Sequence, residues 1–413
     1  MPIERNEFRM HQRIVQQTLL MLYFLLSFNG VQGEKKLFKL DDVEIEKQLN
    51  ILNKPAVKTV KTKYGDIYDC VDFYKQRAFD HPLLKDHNFH PKMKPTFKED
   101  SSSSSTANSW SLTIWSKDGG CPFGTVPVKK ITKEDLKRLR HMPPPEDITF
   151  DSDFDVSNNI SEPKGISSQG YKVSIARTPN NPNNKFSGAG MLTSLYNPRV
   201  EGKQHSASRL KVQKGSDILQ VGWRVDPTLY GDSETRFFIH FQAGKIQCFN
   251  TLCPGFVHVN NKMPLDLSYW STISERGGRT WEATMYIQQD LVNGNWWVLT
   301  TQNLEQVGFW PQRIFTDLKS FATNIEWGGV VYSPPAVPLP PMGSSYFPVG
   351  NLSFDGYCAK VTILNQQGKT IEVDRTTLHN DISLYKVQFE KLRRGYEYVY
   401  FVLYGGPGES GPV

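Results

Sequence analysis

From about residue 167 the chain changes between apolar and polar side chains at short intervals, and turn residues break the runs. A period of two is the signature of a half-buried strand. The runs fall at 171–176, 188–196, 207–212, 218–225, 236–241, 256–259, 280–288, 296–301 and 307–309, then at 325–332, 358–364, 370–373, 384–389 and 396–404. Turn signals separate them at 180–185, at Asn293-Gly294-Asn295 and at Gln366-Gln367-Gly368. Residues 311–318 read as a short helix and PPAVPLPP (334–341) as a polyproline-like excursion. Many short strands with little helix predict an all-β fold, an antiparallel β-sandwich over 167–404, with a flexible tail at 405–413.

The N-terminal part has a different pattern. Leu37, Leu40, Val43, Ile45, Leu49 and Leu52 recur at helical spacing over 36–54, with acids and lysines on the opposite face. Residues 61–71 alternate around Tyr64-Gly65-Asp66 and predict a hairpin, and 78–84 reads as an irregular docking segment. The serine run 101–105 has nothing to bury and reads as an exposed loop or linker. TKEDLKRLR (132–140) carries an N-capping Thr, acids in its first turn and bases in its last, which predicts a small helix. These elements predict a smaller mixed region over 34–141. The acidic, Pro-rich stretch 142–166 reads as a linker and as the place for processing proteases to cut. At the N-terminus, Arg5, Arg9 and Arg13 precede the apolar run TLLMLYFLLSF (18–28), and Val31-Gln32-Gly33 supplies a small residue for cleavage after Gly33. That pattern predicts a signal peptide over 1–33 and a secreted chain. The apolar run is about half of a membrane span, and no later stretch reads as one.

Composition narrows the function. The 413 residues include 48 Lys and Arg against 42 Asp and Glu, a net charge of +6 without clusters, which argues against a nucleic-acid partner. Secretion makes disulfides possible for the five cysteines. Cys248 and Cys253 bracket the loop CFNTLC and are the favoured bridge. Cys70 and Cys121 are candidates to pair, which would leave Cys358 over, with connectivity open. Asn159 and Asn351 head glycosylation triplets.

The stretch ILQVGWRVDPTLYGD (218–232) organises the reading. It places Gly222 beside Trp223 on a strand that ends at Asp226-Pro227. A second pair, Trp327-Gly328, lies in IEWGGVV (325–331). Two such strands would form the floor of a cleft, with Trp223 and Trp327 as walls and Gly222 and Gly328 leaving room for a ligand. The adjacent Trp296 and Trp297 point to opposite faces of a strand, so at most one is expected in the core. Zinc-protease, CxxC, nucleophile-elbow and phosphate-loop signatures are absent. His240 and His258 read as structural or surface residues, and neither a metal nor a cofactor is expected.

LNKPAVKTVKTKYGDIYDCVDFYKQRAFDHPLLKDH (52–87) and CPFGTVPV (121–128) resemble the activation-peptide region of the plant neprosin family. GAGM (188–191), VGWRVDPTLYGD, CFNTLCPGFV (248–257), GNWWV, GFWP (308–311) and IEWGG resemble its catalytic domain. The resemblance implies a secreted zymogen of the cell wall or vacuole. Its own pro-region would cover a cleft with two glutamates that cuts peptides or proteins next to proline. In such a site one carboxylate takes a proton from water while its protonated partner donates to the oxyanion, at acid pH. The resemblance places the first glutamate two residues before Gly-Trp, where this chain has Gln220, and the second directly after Trp-Gly-Gly, where it has Val330. A Gln is compatible with the chemistry, since related fungal glutamic peptidases pair a Gln with a Glu. An isopropyl group is not. Glu326 shares a strand face with Val330 but lies about 13 Å along it, and catalysis tolerates displacements of only about 1 Å. The expectations are therefore a proline-directed glutamic endopeptidase fold with both acids replaced, or a non-catalytic member binding a peptide or cell-wall polysaccharide in the same cleft.

Overall fold

The computed structural model describes residues 42–97, 114, 115, 119–144, 146, 170–244, 246–300, 305–373, 376–380, 383–395 and 397–411. The expected signal peptide, the serine run, Asn159 and most of the expected linker lie outside the described residues. Residues 1–53 and 54–413 are two separate units. In the first, α1 spans residues 42–52, inside the expected 36–54. No helix among the described residues is long and apolar enough to cross a membrane.

The second unit opens with the three-stranded antiparallel sheet β1 (Ala56–Lys61), β2 (Ile67–Asp72) and β3 (Thr125–Lys129). The first two form the expected hairpin, turning through Gly65 at φ +103, a backbone angle that glycine reaches without strain. Short 3₁₀ turns fill the expected docking segment, and the Cys70–Cys121 disulfide closes a separation of 51 residues. Helix α2 (Lys133–Leu139) starts at Thr132, whose side chain accepts from Asp135 N while the Asp135 carboxylate accepts from Thr132 N.

The sandwich begins with β4 (Tyr171–Arg177), β5 (Gly188–Ser194), β6 (His205–Lys214) and β7 (Asp217–Val225). One helical turn, α3 (Pro227–Tyr230), leads to β8 (Thr235–Ala243), β9 (Ile246–Phe249) and β10 (Val257–His258). Next come β11 (Glu282–Gln289), β12 (Trp296–Thr300), β13 (Glu305–Trp310), β14 (Asn324–Tyr332) and β15 (Met342–Gly343). The chain closes with β16 (Gly356–Leu364), β17 (Thr370–Ile371), β18 (Thr377–Asn380), β19 (Lys386–Arg394) and β20 (Glu397–Gly406). Among the described residues these make a seven-stranded sheet, β18-β4-β14-β6-β7-β8-β9, and a ten-stranded sheet whose main path is β10-β13-β12-β11-β5-β16-β20-β15. Every pairing is antiparallel, as the alternation predicts.

Three local expectations are corrected. Residues 311–318 do not form a helix beyond a 3₁₀ turn at Gln312–Ile314, because the Asp217 carboxylate accepts from the backbone N–H groups of Thr316, Asp317 and Leu318 and holds that segment open. The tail is not free: β20 runs to Gly406, Glu409 N donates to Leu339 O, and Leu339 N donates to the Glu409 carboxylate. Trp296 and Trp297 are both in the core. Trp296 donates to Leu318 O, while Trp297 packs on Phe309, whose ring meets Phe89 of the N-terminal region at 5.0 Å. The expectation failed because that region covers the second face of the strand.

The N-terminal region and the sandwich thus share one apolar core, in which Tyr68, Phe73, Leu84 and Phe89 join Trp297 and Phe309. Polar contacts fix the docking. Gln76 Nε2 donates to His258 O (3.1 Å) and Gln76 Oε1 accepts from His258 N (2.8 Å). Arg236 donates from both terminal nitrogens to Asp66. One core predicts one transition: in urea, tryptophan fluorescence and far-ultraviolet circular dichroism should report the same midpoint. Phe89→Ala should lower the unfolding free energy by about 3 kcal/mol in both signals. Two separate midpoints would show that the N-terminal region folds by itself.

Candidate functional site

Strand alternation sorts the motif residues onto two faces. On β7 and β14 the tryptophans point between the sheets, where Trp223 Nε1 donates to Ser194 O (2.8 Å) and Trp327 Nε1 to Gly190 O (3.1 Å), both on β5. Neither indole is exposed. Trp223 and Trp327 are therefore not cleft walls. A residue adjacent to an outward glycine must face inward. Gly222 and Gly328 do lie on the outer face of the seven-stranded sheet, opposite each other across Arg209 of β6. A Cβ on Gly222 would sit 2.0 Å from Ser208 O, and one on Gly328 2.4 Å from Ser174 O, so no side chain rises on either side of Arg209.

The next cross-strand row on this face reads His240, Gln220, Lys211, Glu326, Arg177 across β8, β7, β6, β14 and β4. Register thus places Gln220 and Glu326 on either side of one lysine, about 9–10 Å apart at the backbone. Val330 lies in a different row, opposite Ala207 and Val173. It packs in an apolar cluster with Tyr171, Ile175, Phe238 and Tyr332. Across the sheet from Gln220, the residue in register is Glu326.

The buried charges of this row pair with one another and with Arg209 of the row before, while Glu326 Oε1 and Arg209 Nε have no hydrogen-bond partner among the described residues. Arg209, Lys211 and Glu326 are 0%, 0% and 1% exposed. Arg209 Nη1 donates to Glu326 Oε2 at 2.9 Å, and Lys211 Nζ lies 3.7 Å from the same oxygen. Arg209 Nη2 donates to a second carboxylate, Glu146, from the segment that precedes the sandwich. Gln220 Nε2 approaches the other oxygen of Glu146 at 3.4 Å. The same segment is held at Pro144, whose carbonyl accepts from Tyr171 OH at 2.9 Å. Glu146 thus sits over the row like a bound side chain.

Burial and charge act on these groups in opposite directions. Burial works to raise the Glu146 pKa, but Arg209 and Lys211 outweigh it and hold the carboxyl below its ordinary value. Burial lowers the Lys211 pKa, with Glu326 working against it. The Arg209 pKa is raised: burial opposes the charge, and Glu146 and Glu326 overcome it. Burial pulls His240 down to about 3, so its ring, packed 4.6 Å from Phe249, is neutral. Its Nδ1 has no hydrogen-bond partner.

Arg209, Lys211 and Glu146 belong to this row's charge network and were not singled out from the sequence. The signal for the first two was present: in SASRLKV (206–212) they are the outward positions of a strand, where a fully buried strand would carry apolar residues. Nothing local marks Glu146, one acid in an acidic linker. The remaining candidates are placed as follows. Cys248 and Cys253 form a disulfide. Cys358 is a free, buried thiol. Asn351 is exposed, with its side-chain oxygen accepting from Ser353 N. Among the described residues no group of three or more His, Cys, Asp or Glu is placed to hold a metal.

Fold and site together define a β-sandwich with a buried row of charged residues on the outer face of one sheet, carried behind a region of its own chain that is packed into its core. The comparisons make the class specific. The neprosin family model matches residues 202–407 and the neprosin activation peptide model matches residues 59–177. The chain belongs to the neprosin family. Among solved structures, scytalido-glutamic peptidase with a peptide-based transition-state analogue is similar at TM-score 0.31 and 8% identity, over 57% of this chain and 98% of that one. SCP-B, an eqolisin-family peptidase in complex with the tripeptide Ala-Ile-His, is similar at TM-score 0.30 and 6% identity, over 57% and 98%.

The Glu146 carboxyl makes linker docking depend on pH. A carboxyl held below its unfolded value, about 4.3, stabilises docking fully above that value. The contribution fades as pH falls through the depressed folded value. Proteolysis of the 142–166 segment should therefore be slow at pH 7 and accelerate in acid. Glu146→Gln should be cut fast at pH 7 already. Equal cutting of the two proteins at pH 7 would mean that the ion pair does not hold the segment.

Proposed function

We propose that this protein is a secreted neprosin-family precursor whose outer cleft binds an extended peptide without hydrolysing it. One observation carries the reading: a segment of the chain itself already lies in the cleft, held at a backbone carbonyl (Pro144) and at a side chain (Glu146). Hydrolysis needs a carboxylate free to take a proton from water. Glu326 is 1% exposed, and its Oε2 is already engaged by Arg209 Nη1 at 2.9 Å and by Lys211 Nζ at 3.7 Å. Val330 offers no second carboxylate. With Trp223 and Trp327 turned into the core, the indole platform that favoured a polysaccharide is missing. Secretion is supported by the basic-then-apolar N-terminus, the two disulfides and the exposed sequon at Asn351.

A second reading, a glutamic endopeptidase, has one observation in its favour: register sets Gln220 and Glu326 in the same row. A quenched peptide containing proline separates the two. After the linker has been cut, wild type, Glu326→Gln and Val330→Glu would be assayed at pH about 3–6, where a carboxyl pair would act. The expected result is no cleavage by any of them. Val330→Glu should also be less stable by at least about 2 kcal/mol, since it puts a carboxyl into an apolar cluster. Wild-type cleavage that disappears in Glu326→Gln would make the protein a peptidase with Glu326 as its base.

A further inference from the structure

We propose that the cleft selects peptides by a carboxylate side chain: Arg209, supported by Gln220 and Lys211, receives a Glu or Asp of the ligand, and Glu146 is the chain's own competing occupant. The inference rests on the peptide-binding reading above and adds the class of peptide.

Two observations carry it. The first is the geometry of Arg209. A guanidinium offers donors along two edges. Nη1 serves Glu326, a residue of the sandwich itself, and among the described residues Nη2 serves Glu146, a residue of the linker. When the linker leaves, Nη2 loses that partner, with glycine on both flanking strands and no side chain rising beside it. A guanidinium edge shaped to a carboxylate is then open to another one.

The second is the pattern of donors. Gln220 Nε2 points at the same carboxylate as Arg209 Nη2, so both oxygens of the occupant are met by N–H groups. A glutamine side chain in its place would turn its amide N–H₂ toward one of these donors and leave that donor unsatisfied. Sites of this kind reject a neutral analogue through their unpaired groups more than through lost attraction. The Pro144 contact, in contrast, runs through a backbone carbonyl that any residue carries. Selection in this cleft therefore falls on the acid, although prolines precede it in the occupant at 143–145.

Tethering gives Glu146 an effective concentration in the millimolar range, so an external ligand competes poorly until the linker is cut or released. The test uses the full-length chain with residues 143–150 exchanged for a Gly/Ser stretch of equal length, which vacates the cleft. Its unfolding midpoint would be checked against wild type. The probes are two fluorescent peptides: the chain's own PPPEDITF and the variant PPPQDITF, titrated at pH 7 by anisotropy. The Glu peptide should bind the vacated chain at least about tenfold more tightly than the Gln peptide, and at least about tenfold more tightly than it binds wild type, whose cleft is filled. Equal binding of the two peptides to the vacated chain would overturn carboxylate selection while leaving a peptide-binding cleft. Binding of neither peptide would overturn both readings. Binding that is as tight to wild type as to the vacated chain would place the peptide elsewhere and also overturn the inference.

Discussion

The buried guanidinium of Arg209 constrains the whole outer face of the seven-stranded sheet. A charge taken fully out of water needs partners at hydrogen-bond distance, and a central strand offers few. The chain supplies Glu326 from the neighbouring strand and Glu146 from the linker. Glycines 222 and 328 keep the flanking strands bare, so that both carboxylates can reach it. Lys211, two residues on, adds a second ion pair to the same oxygen of Glu326. Changing Arg209 would therefore unbalance a sandwich residue and a linker residue together.

Two different kinds of cover act on the two sheets. The N-terminal region covers the ten-stranded sheet with aromatic rings and the uncharged Gln76–His258 pair, joined to the core of the sandwich, and reaches β8 of the other sheet through the Arg236–Asp66 ion pair. The linker covers the seven-stranded sheet through an ion pair and one hydroxyl. Apolar burial changes little with pH, whereas a carboxylate with a depressed pKa gives up its contribution in acid.

The fold was legible in the sequence because its main signal is local. Alternation every two residues and regular turn residues are properties of each strand alone, and the strands at 218–225 and 325–332 fall within one residue of where the pattern put them. Failures came where a face was covered by something distant. Trp297 is buried by Phe89, some two hundred residues earlier in the chain, and the tail by Leu339. The site was half legible. Gln220 and Glu326 were identifiable as outward residues, but which of them share a row depends on the register of three strands, and register is a tertiary fact. Trp223 and Trp327 were misplaced for a simpler reason: a tryptophan next to an outward glycine has to face inward, and the alternation that predicted the strands already implied it.

Register also changes what the substitutions in this chain mean. Had Val330 stood across from Gln220, its isopropyl group would have been the whole obstacle to catalysis. Instead Glu326 stands there, with its Oε2 engaged by Arg209 and Lys211. Arg209 Nη1 and Lys211 are bound to Glu326 whether or not Glu146 is present, because all three belong to the sandwich. Removing the linker frees Arg209 Nη2 and leaves both contacts of Glu326 Oε2 in place. On the reading proposed above, opening exposes a cation, and the carboxylate that the sandwich retains holds it in position.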